Sequence, residues 1–364
     1  MVDPKGLLTR LGIELPIIQA PMAGSQGAEL AIAVCRAGGL GSLPCAMLTV
    51  EQIKDEINLV RSATDRPFNL NFFCHQNPQY DQSDIDTWRD TLSRYYKEMK
   101  LDQPRSEVLP GRQPFNEELC EVVEKYKPAV VSFHFGLPDN ALVQRIKNTG
   151  AVILSSATTV EEAIWLENRG ADAVIAQGAE AGGHRAMFLG SDISSQPGMV
   201  ALVPQIVDRI SLPVIAAGGI ADGRGIVAAL TLGASCIQSG SVYLFTNEAK
   251  TAPLHLEALK TATDSNTALT NIFSGRPARG ILNRVMKEIG PMNETAPPFP
   301  LAGSDLADLK AASEKSEKSD FSSLWSGQSS RLGLSYIGIS AQQLTLDLIN
   351  QAKQEAEKLT KNWF

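Results

Sequence analysis

The segment VIAAGGIADGRGIVAALTLGASCIQSGS, Val214 to Ser241, carries the reading of the fold. Val214–Ala217 is apolar throughout, as expected of a parallel strand covered on both faces. Gly218 and Gly219 break that strand, and Asp222 stands at the N-cap of a helix expected over Gly223–Leu232. Gly233 ends the helix, because glycine takes the left-handed closing conformation without a Cβ clash. Ala234 then leads directly into a second strand, Ser235–Gly240. The same helix–glycine–strand junction recurs at Gly150-Ala151 and Gly170-Ala171. Recurrence makes the β–α alternation a property of the whole chain.

Working outward, strands are expected at Pro16–Ala23, Leu40–Cys45, Phe68–Cys74, Ala129–Phe135, Val152–Ser155 and Ala173–Gln177, which with Val214–Ala217 and Ser235–Gly240 makes eight. Thr49-Val-Glu-Gln52 and Thr159-Val-Glu-Glu162 have the spacing of capping boxes, and Asp139 offers a further N-cap. Alternating β and α units imply a parallel sheet with right-handed crossovers. Eight of them predict an α/β fold, a (β/α)8 TIM barrel, with a doubly wound open sheet as the alternative at this stage.

The barrel is expected over residues 1–248, interrupted at about 76–114 by a polar insertion after the third strand. That insertion holds one predicted helix, about Ser83–Lys100, apolar at Trp88, Leu92, Tyr95 and Met99. Residues 249–324 form a smaller, mainly helical lid or substrate region, and 325–364 a C-terminal segment that packs back on the barrel. Gly303–Ser323, rich in Ser, Lys, Asp and Glu, reads as a linker or mobile loop. Ala341–Thr360 reads as an amphipathic helix with Leu344, Leu348, Ile349, Ala352 and Ala356 on one face.

The chain has 364 residues, 43% hydrophobic and 20% charged, a globular composition whose length fits one barrel with insertions. A net charge of −7 argues against a nucleic-acid partner but leaves room for a local anion pocket. There is no apolar run long enough to span a membrane and no charged-then-apolar amino terminus, so a cytoplasmic protein is expected. Cys35, Cys45, Cys74, Cys120 and Cys236 are odd in number and scattered, which favours neither a disulfide framework nor a zinc site.

Active sites of such barrels lie at the carboxyl ends of the strands, with phosphate commonly bound after the seventh and eighth. At those ends stand Gly218-Gly219 and Gln238-Ser-Gly-Ser241, where main-chain N–H groups and the Ser241 hydroxyl can approach a phosphate. The sixth strand ends in QGAEAGGHR, Gln177 to Arg185: Gly182 and Gly183 free the backbone for a planar ligand, and His184 and Arg185 bring an imidazole and a cation to the mouth. His134 ends the fourth strand; Asn69, Asn71 and Phe73 share one face of the third, with Cys74 and His75 beyond. Asn71 and Gln177 suit the polar edge of a heterocycle. No metal is expected, since adjacent Cys74 and His75 lack ligand spacing and no rim carboxylate completes a set.

QAPMAG (Gln19–Gly24), NFFCH (Asn71–His75), SFHFG (Ser132–Gly136), QGAEAGGHR, AAGGIADGRG (Ala216–Gly225) and SGRPARG (Ser274–Gly280) together resemble the signature segments of class I nitronate monooxygenases, formerly called 2-nitropropane dioxygenases. The resemblance runs from about Leu7 to Met286 and resumes around Trp325–Gly333; NFFCH with SFHFG is the discriminating pair. It implies a flavoprotein with one FMN near Met22, Asn71, Gln177, Gly182, Gly183, Gly218, Gly219, Gln238, Gly240 and Ser241, and an active-site histidine at His184. His134, Phe73 and His75 would line the substrate pocket. The implied activity is oxidation of alkyl nitronates, propionate 3-nitronate first, by O2 to a carbonyl compound and nitrite, a detoxifying role for a monomer or homodimer. Ser241 stands where the family has threonine, and Ala186 where it has glycine. The alternatives are an NAD(P)H-using enoyl-acyl-carrier-protein reductase on the same flavin barrel, which shares AGGH but not the discriminating pair, and, more distantly, a non-catalytic barrel that binds phosphorylated ligands.

Overall fold

The computed structural model describes residues 4–104 and 113–363. After α1 (Pro4–Leu11) come β1 (Ile17–Gln19), α2 (Ala28–Ala37), β2 (Gly41–Pro44), α3 (Val50–Ala63) and β3 (Phe68–Phe73). The insertion holds α4 (Gln82–Met99), followed by α5 (Glu117–Tyr126), β4 (Val130–His134), α6 (Asn140–Asn148), β5 (Val152–Ala157), α7 (Val160–Asn168) and β6 (Ala173–Gln177). A two-residue strand, β7 (Gly183–His184), precedes α8 (Met199–Val207), β8 (Val214–Ala217), α9 (Gly223–Thr231) and β9 (Cys236–Ser239). Then come α10 (Pro253–Thr261), the hairpin β10 (Thr267–Thr270) and β11 (Ala278–Ile281), α11 (Arg284–Ile289), α12 (Ala307–Lys315) and α13 (Ala341–Trp363).

Eight strands form one parallel sheet in the order β1-β9-β8-β6-β5-β4-β3-β2. The sheet closes where Ile18 bridges Leu40: Leu40 N–H donates to Ile17 O at 3.0 Å, and Gln19 N–H to Leu40 O at 2.9 Å. All eight expected apolar runs supply barrel strands. The first is shorter than expected, because the chain leaves the sheet after Gln19 and Ala20–Ala23 line the barrel mouth instead. The three glycine junctions adopt the left-handed conformation, with φ of +87° at Gly150, +93° at Gly170 and +100° at Gly233.

Three local expectations change. Thr49 and Gln52 form the capping box, but Thr159 only accepts the Glu162 N–H at 3.2 Å. The buried Glu162 carboxylate accepts instead from Thr158 N and Oγ1, both at 2.7 Å, and from Phe188 N at 2.6 Å, anchoring the loop that leads away from β7. Asp139 occupies its N-cap position without a side-chain hydrogen bond. Gly303–Ser323 is folded, into a 3-10 turn at Ser304–Leu306 and helix α12. Its few apolar residues, Leu306, Leu309 and Phe321, are buried against Trp88, Leu92, Tyr95 and Tyr96 of α4, so a polar composition still yields a packed element. Trp88 Nε1 donates to Ala302 O at 3.1 Å and Tyr96 Oη to Asp305 O at 2.7 Å, joining the insertion to the region after the barrel.

The barrel's eighth helical position is filled by α13, which packs on α9 and α2. Ala341, Leu344, Leu348, Ile349 and Ala352 are buried there, while Ala356 is exposed, so the buried face is shorter than the sequence pattern implies. Among the described residues no helix is long and apolar enough to cross a membrane. The five cysteines are free thiols.

Packing of α2 on β2 is close enough that a Cβ on Gly41 would collide with the Ala31 carbonyl oxygen and lie 2.7 Å from Ala31 Cα. Gly41→Ala is expected to destabilise the fold by about 1–3 kcal/mol. The measurement is urea unfolding, with a lower midpoint at unchanged slope; an unchanged midpoint would show that α2 moves aside freely.

Candidate active site

One cavity opens at the carboxyl ends of the barrel strands. It is lined by Met22, Asn71, Phe73, His134, Gln177, Gly182, Gly183, His184, Gly218, Gly219, Gln238, Gly240 and Ser241, so the structure brings together every expected site residue except one. His75 does not line it: the ring is buried, edge-on to Phe299 at 4.9 Å and to Phe73 at 6.5 Å.

The end near β8 and β9 is built of main chain. Gly218 and Gly219 have φ of +109° and +72°, the left-handed region where a side chain is strained. A Cβ on Gly218 would lie 3.1 Å from Gly178 O, and one on Gly240 3.4 Å from Ala20 Cβ. Among the described residues the N–H groups of Gly218, Gly219, Gly240 and Ser241 donate to no backbone acceptor. Asp222 caps α9 through Arg224 N at 3.0 Å and Gly225 N at 3.3 Å. Unused N–H groups from two adjacent loops, one of them held in a conformation that strains any side chain, fit a phosphate monoester.

A third loop shares this end, and the rim motifs did not include it. Gly327, Ser329 and Ser330 line the cavity; Gly327 N–H donates to Ser241 Oγ at 2.9 Å, and Gln328 N–H to Glu180 O at 3.0 Å. The Ser241 hydroxyl thus accepts from this C-terminal strap and keeps its own proton to donate. Gly182 is explained by the same strap, since a Cβ there would lie 2.5 Å from Gly327 N. The signal was present in Ser326-Gly-Gln-Ser-Ser330, the same glycine–hydroxyl pattern as Ser239-Gly-Ser241, but no strand end marks it as part of the rim.

At the other end His184 sits on β7, paired antiparallel with β11 through Ala278↔His184. Its carbonyl oxygen accepts twice, from Gln177 Nε2 at 3.0 Å and from His134 Nε2 at 3.1 Å. Gln177 Oε1 accepts Ala186 N–H at 2.8 Å, so both ends of this amide hold the His184 loop. Asn71 Nδ2 is held by Ser132 Oγ at 2.9 Å. Arg185, expected at the mouth, turns inward and is fully buried: it donates to Gly178 O at 2.6 Å, Gln177 O at 2.7 Å and Gln196 Oε1 at 2.9 Å. Burial pushes its pKa down to about 10.

Burial likewise pushes the His134 pKa down to about 4. A neutral ring facing a carbonyl through Nε2 must carry its proton on that nitrogen. His255, a lining residue absent from the sequence motifs, is arranged alike: Nε2 lies 3.0 Å from Trp325 O, and burial lowers its pKa. Around His184 stand Phe73 at 6.2 Å, Phe135 at 6.0 Å, and Phe299 and Trp325 both at 5.5 Å. Neither carboxylate, lysine nor arginine lines the cavity among the described residues. Among them there is also no group of three or more His, Cys, Asp or Glu able to hold a metal. The Cys74 thiol is pushed up by burial and stays outside the cavity.

A protein-family model described as "Nitronate monooxygenase" matches residues 5–351. A probable nitronate monooxygenase of Staphylococcus aureus (strain JH9) is 36% identical over 355 residues, covering 97% of this chain and 99% of that protein. Nitroalkane oxidase from Streptomyces ansochromogenes has a solved structure with TM-score 0.88 at 35% identity, covering 97% of this chain and 99% of its own. FabK from Thermotoga maritima is more distant, with TM-score 0.74 at 26% identity and 99% coverage of both chains.

The buried neutral state of His134 has a consequence for stability. Its pKa is about 4 folded and 6.5 when unperturbed, so between these values the unfolded chain binds more protons. This contribution is complete above the unperturbed value and is lost as pH falls towards the folded one, by on the order of 3 kcal/mol. His134→Gln, which keeps an N–H donor, is expected to flatten the decline in urea-unfolding free energy across that window relative to wild type. Equal slopes would assign the titration to other groups.

Proposed function

The chain belongs to the nitronate monooxygenase family, and from that premise we propose that it oxidises alkyl nitronates with FMN and O2, giving a carbonyl compound and nitrite. Propionate 3-nitronate is the physiological candidate, and detoxification in the cytoplasm the role. The observation that carries the reading is the cavity's division into two ends: unused main-chain N–H groups at Gly218, Gly219, Gly240 and Ser241, and the His184 imidazole among aromatic rings.

When bound, FMN supplies the electron-transfer chemistry between nitronate and oxygen. The two glycine loops would hold its phosphate, with the Ser241 hydroxyl as a further donor. Met22, Asn71, Gln177, Gly182, Gly183 and Gln238 would border its ring system, Gln177 chiefly by fixing the loop beside it. His184 would take the α-proton of a neutral nitroalkane when its ring is neutral, and orient the nitronate by hydrogen bonding once that ring is protonated. His134, neutral, holds the His184 backbone in place, and Phe73 would keep water from the reacting end, with His75 supporting it from behind. Residues 249–324 would act as the lid, since their hairpin carries the strand that pairs with β7. Among the described residues no carboxylate lines the cavity to repel an anionic substrate, which supports that reading.

The test is an aerobic assay of purified yellow protein with propionate 3-nitronate, following oxygen uptake and nitrite release. Bleaching of the flavin by NAD(P)H alone, without nitronate turnover, would favour a reductase, and a colourless protein a ligand-binding barrel. His184→Asn is expected to lower kcat with a neutral nitroalkane roughly 100-fold or more, the scale of a lost general base, while FMN stays bound. Gly219→Val, which strains a left-handed position beside Glu180, is expected to release FMN. Full flavin content in the valine variant, or unchanged kinetics in the asparagine variant, would remove the respective assignment.

A further inference from the structure

Ser274 belongs to no strand end, yet its Oγ lies 2.8 Å from His184 Nε2. It sits in the turn between β10 and β11, buried at 6% exposure, so the hairpin that pairs with the His184 backbone also touches its ring. Two more contacts limit what this hydroxyl can do. Oγ is 3.3 Å from Arg276 O, and it accepts Arg276 N–H at 3.4 Å.

A serine hydroxyl has one proton to give. Given to the imidazole, it leaves the Arg276 carbonyl contact without a hydrogen. Given to Arg276 O, it lets Oγ accept from both Arg276 N–H and an imidazole Nε2–H, and all three contacts become hydrogen bonds. Buried polar groups favour the arrangement that satisfies each of them.

We infer that Ser274 is a positioning residue for the proposed reaction, holding the neutral His184 ring as its Nε2–H tautomer so that Nδ1 is the basic nitrogen. The role acts through His184; Ser274 itself need not touch substrate. Its kinetic consequence rests on the nitronate reading, whereas the tautomer does not.

The experiment uses purified protein with 15N-labelled histidine rings. Long-range 1H–15N spectra are recorded above the pH at which the ring titrates, with His184 assigned by its loss in His184→Asn. The expected wild-type spectrum shows a protonated Nε2 and an unprotonated Nδ1. Ser274→Ala should give a tautomer mixture, a roughly tenfold fall in kcat/KM for a neutral nitroalkane and a displaced limb of the pH profile, whereas Ser274→Thr should stay within about threefold of wild type. A wild-type Nδ1–H tautomer overturns the inference, and decides it even where the alanine variant does not fold. So does an alanine variant whose spectrum and pH profile superimpose on wild type. Absence of nitronate turnover in the wild type would instead overturn the proposed reaction, leaving the spectra to decide the tautomer.

Discussion

After β6 the chain has to double back across the barrel mouth before it can continue to α8, and the Arg185 side chain is the post around which it turns. The guanidinium is fully buried, and its partners are the carbonyl oxygens of Gln177 and Gly178, at and just past the end of β6, and the amide of Gln196. A buried charge is costly unless its donors are satisfied, and here neutral oxygens arranged to match the planar fork do so. Lysine, with a compact charge and no fork, would not reproduce that geometry. With the turn fixed, Gly183 and His184 are delivered to β11, and Gln177 and His134 converge on the His184 carbonyl. Glu162 holds the next stretch through Phe188 N–H and Leu189 N–H. The position of the imidazole is thus set in part by Arg185 and Glu162, which do not line the cavity.

This arrangement explains which parts of the molecule were legible in the sequence. Barrel strands are local signals: each is a short apolar run bounded by a glycine or a cap, and all eight lie where those signals are. The mouth sheet is not local. β7 has two residues and no strand pattern, and its partner lies about a hundred residues further on, so nothing near Gly183 announces the pairing. Arg185 was misread for the same reason, since an arginine beside an active-site histidine looks like a rim cation until the carbonyls that surround it are known. In Gly303–Ser323 composition misled, because three buried apolar residues suffice when α4 brings the aromatic surface to them. His75 shows the limit of strand alternation: two residues beyond Phe73, it is carried past the cavity and behind the aromatic wall.

The electrostatics of the cavity follow from using dipoles in place of full charges. Among the described residues three histidines line it; burial lowers the pKa of two, His134 and His255, and both spend Nε2 on main-chain carbonyls. Among the described residues no Lys or Arg lines the cavity, so the main-chain N–H groups of the glycine loops and the His184 ring are the donors available there to an anion. Peptide dipoles held by the surrounding fold need no reorganisation when an anion arrives, which makes them effective in a water-poor site. The same choice excludes side chains physically. Gly218, Gly219 and Gly182 are required by backbone conformation or by close approach of another loop, so these positions tolerate little variation even where no group of theirs reacts.

The last forty or so residues tie this site to the integrity of the barrel. Ser326–Ser330 crosses the glycine loops, hydrogen-bonded to Ser241 and Glu180, and α13 follows to fill the gap between α9 and α2. Gln351 Oε1 of α13 accepts the Gly223 N–H at the first turn of α9, one loop away from Gly218 and Gly219. Seating the final helix and closing the cavity therefore involve one continuous piece of chain. A ligand gripped by the glycine loops and the strap binds only the state in which that piece is docked, so by linkage it stabilises the eighth helix as well as the site. An enzyme built this way assembles its binding cradle and completes its barrel in the same step.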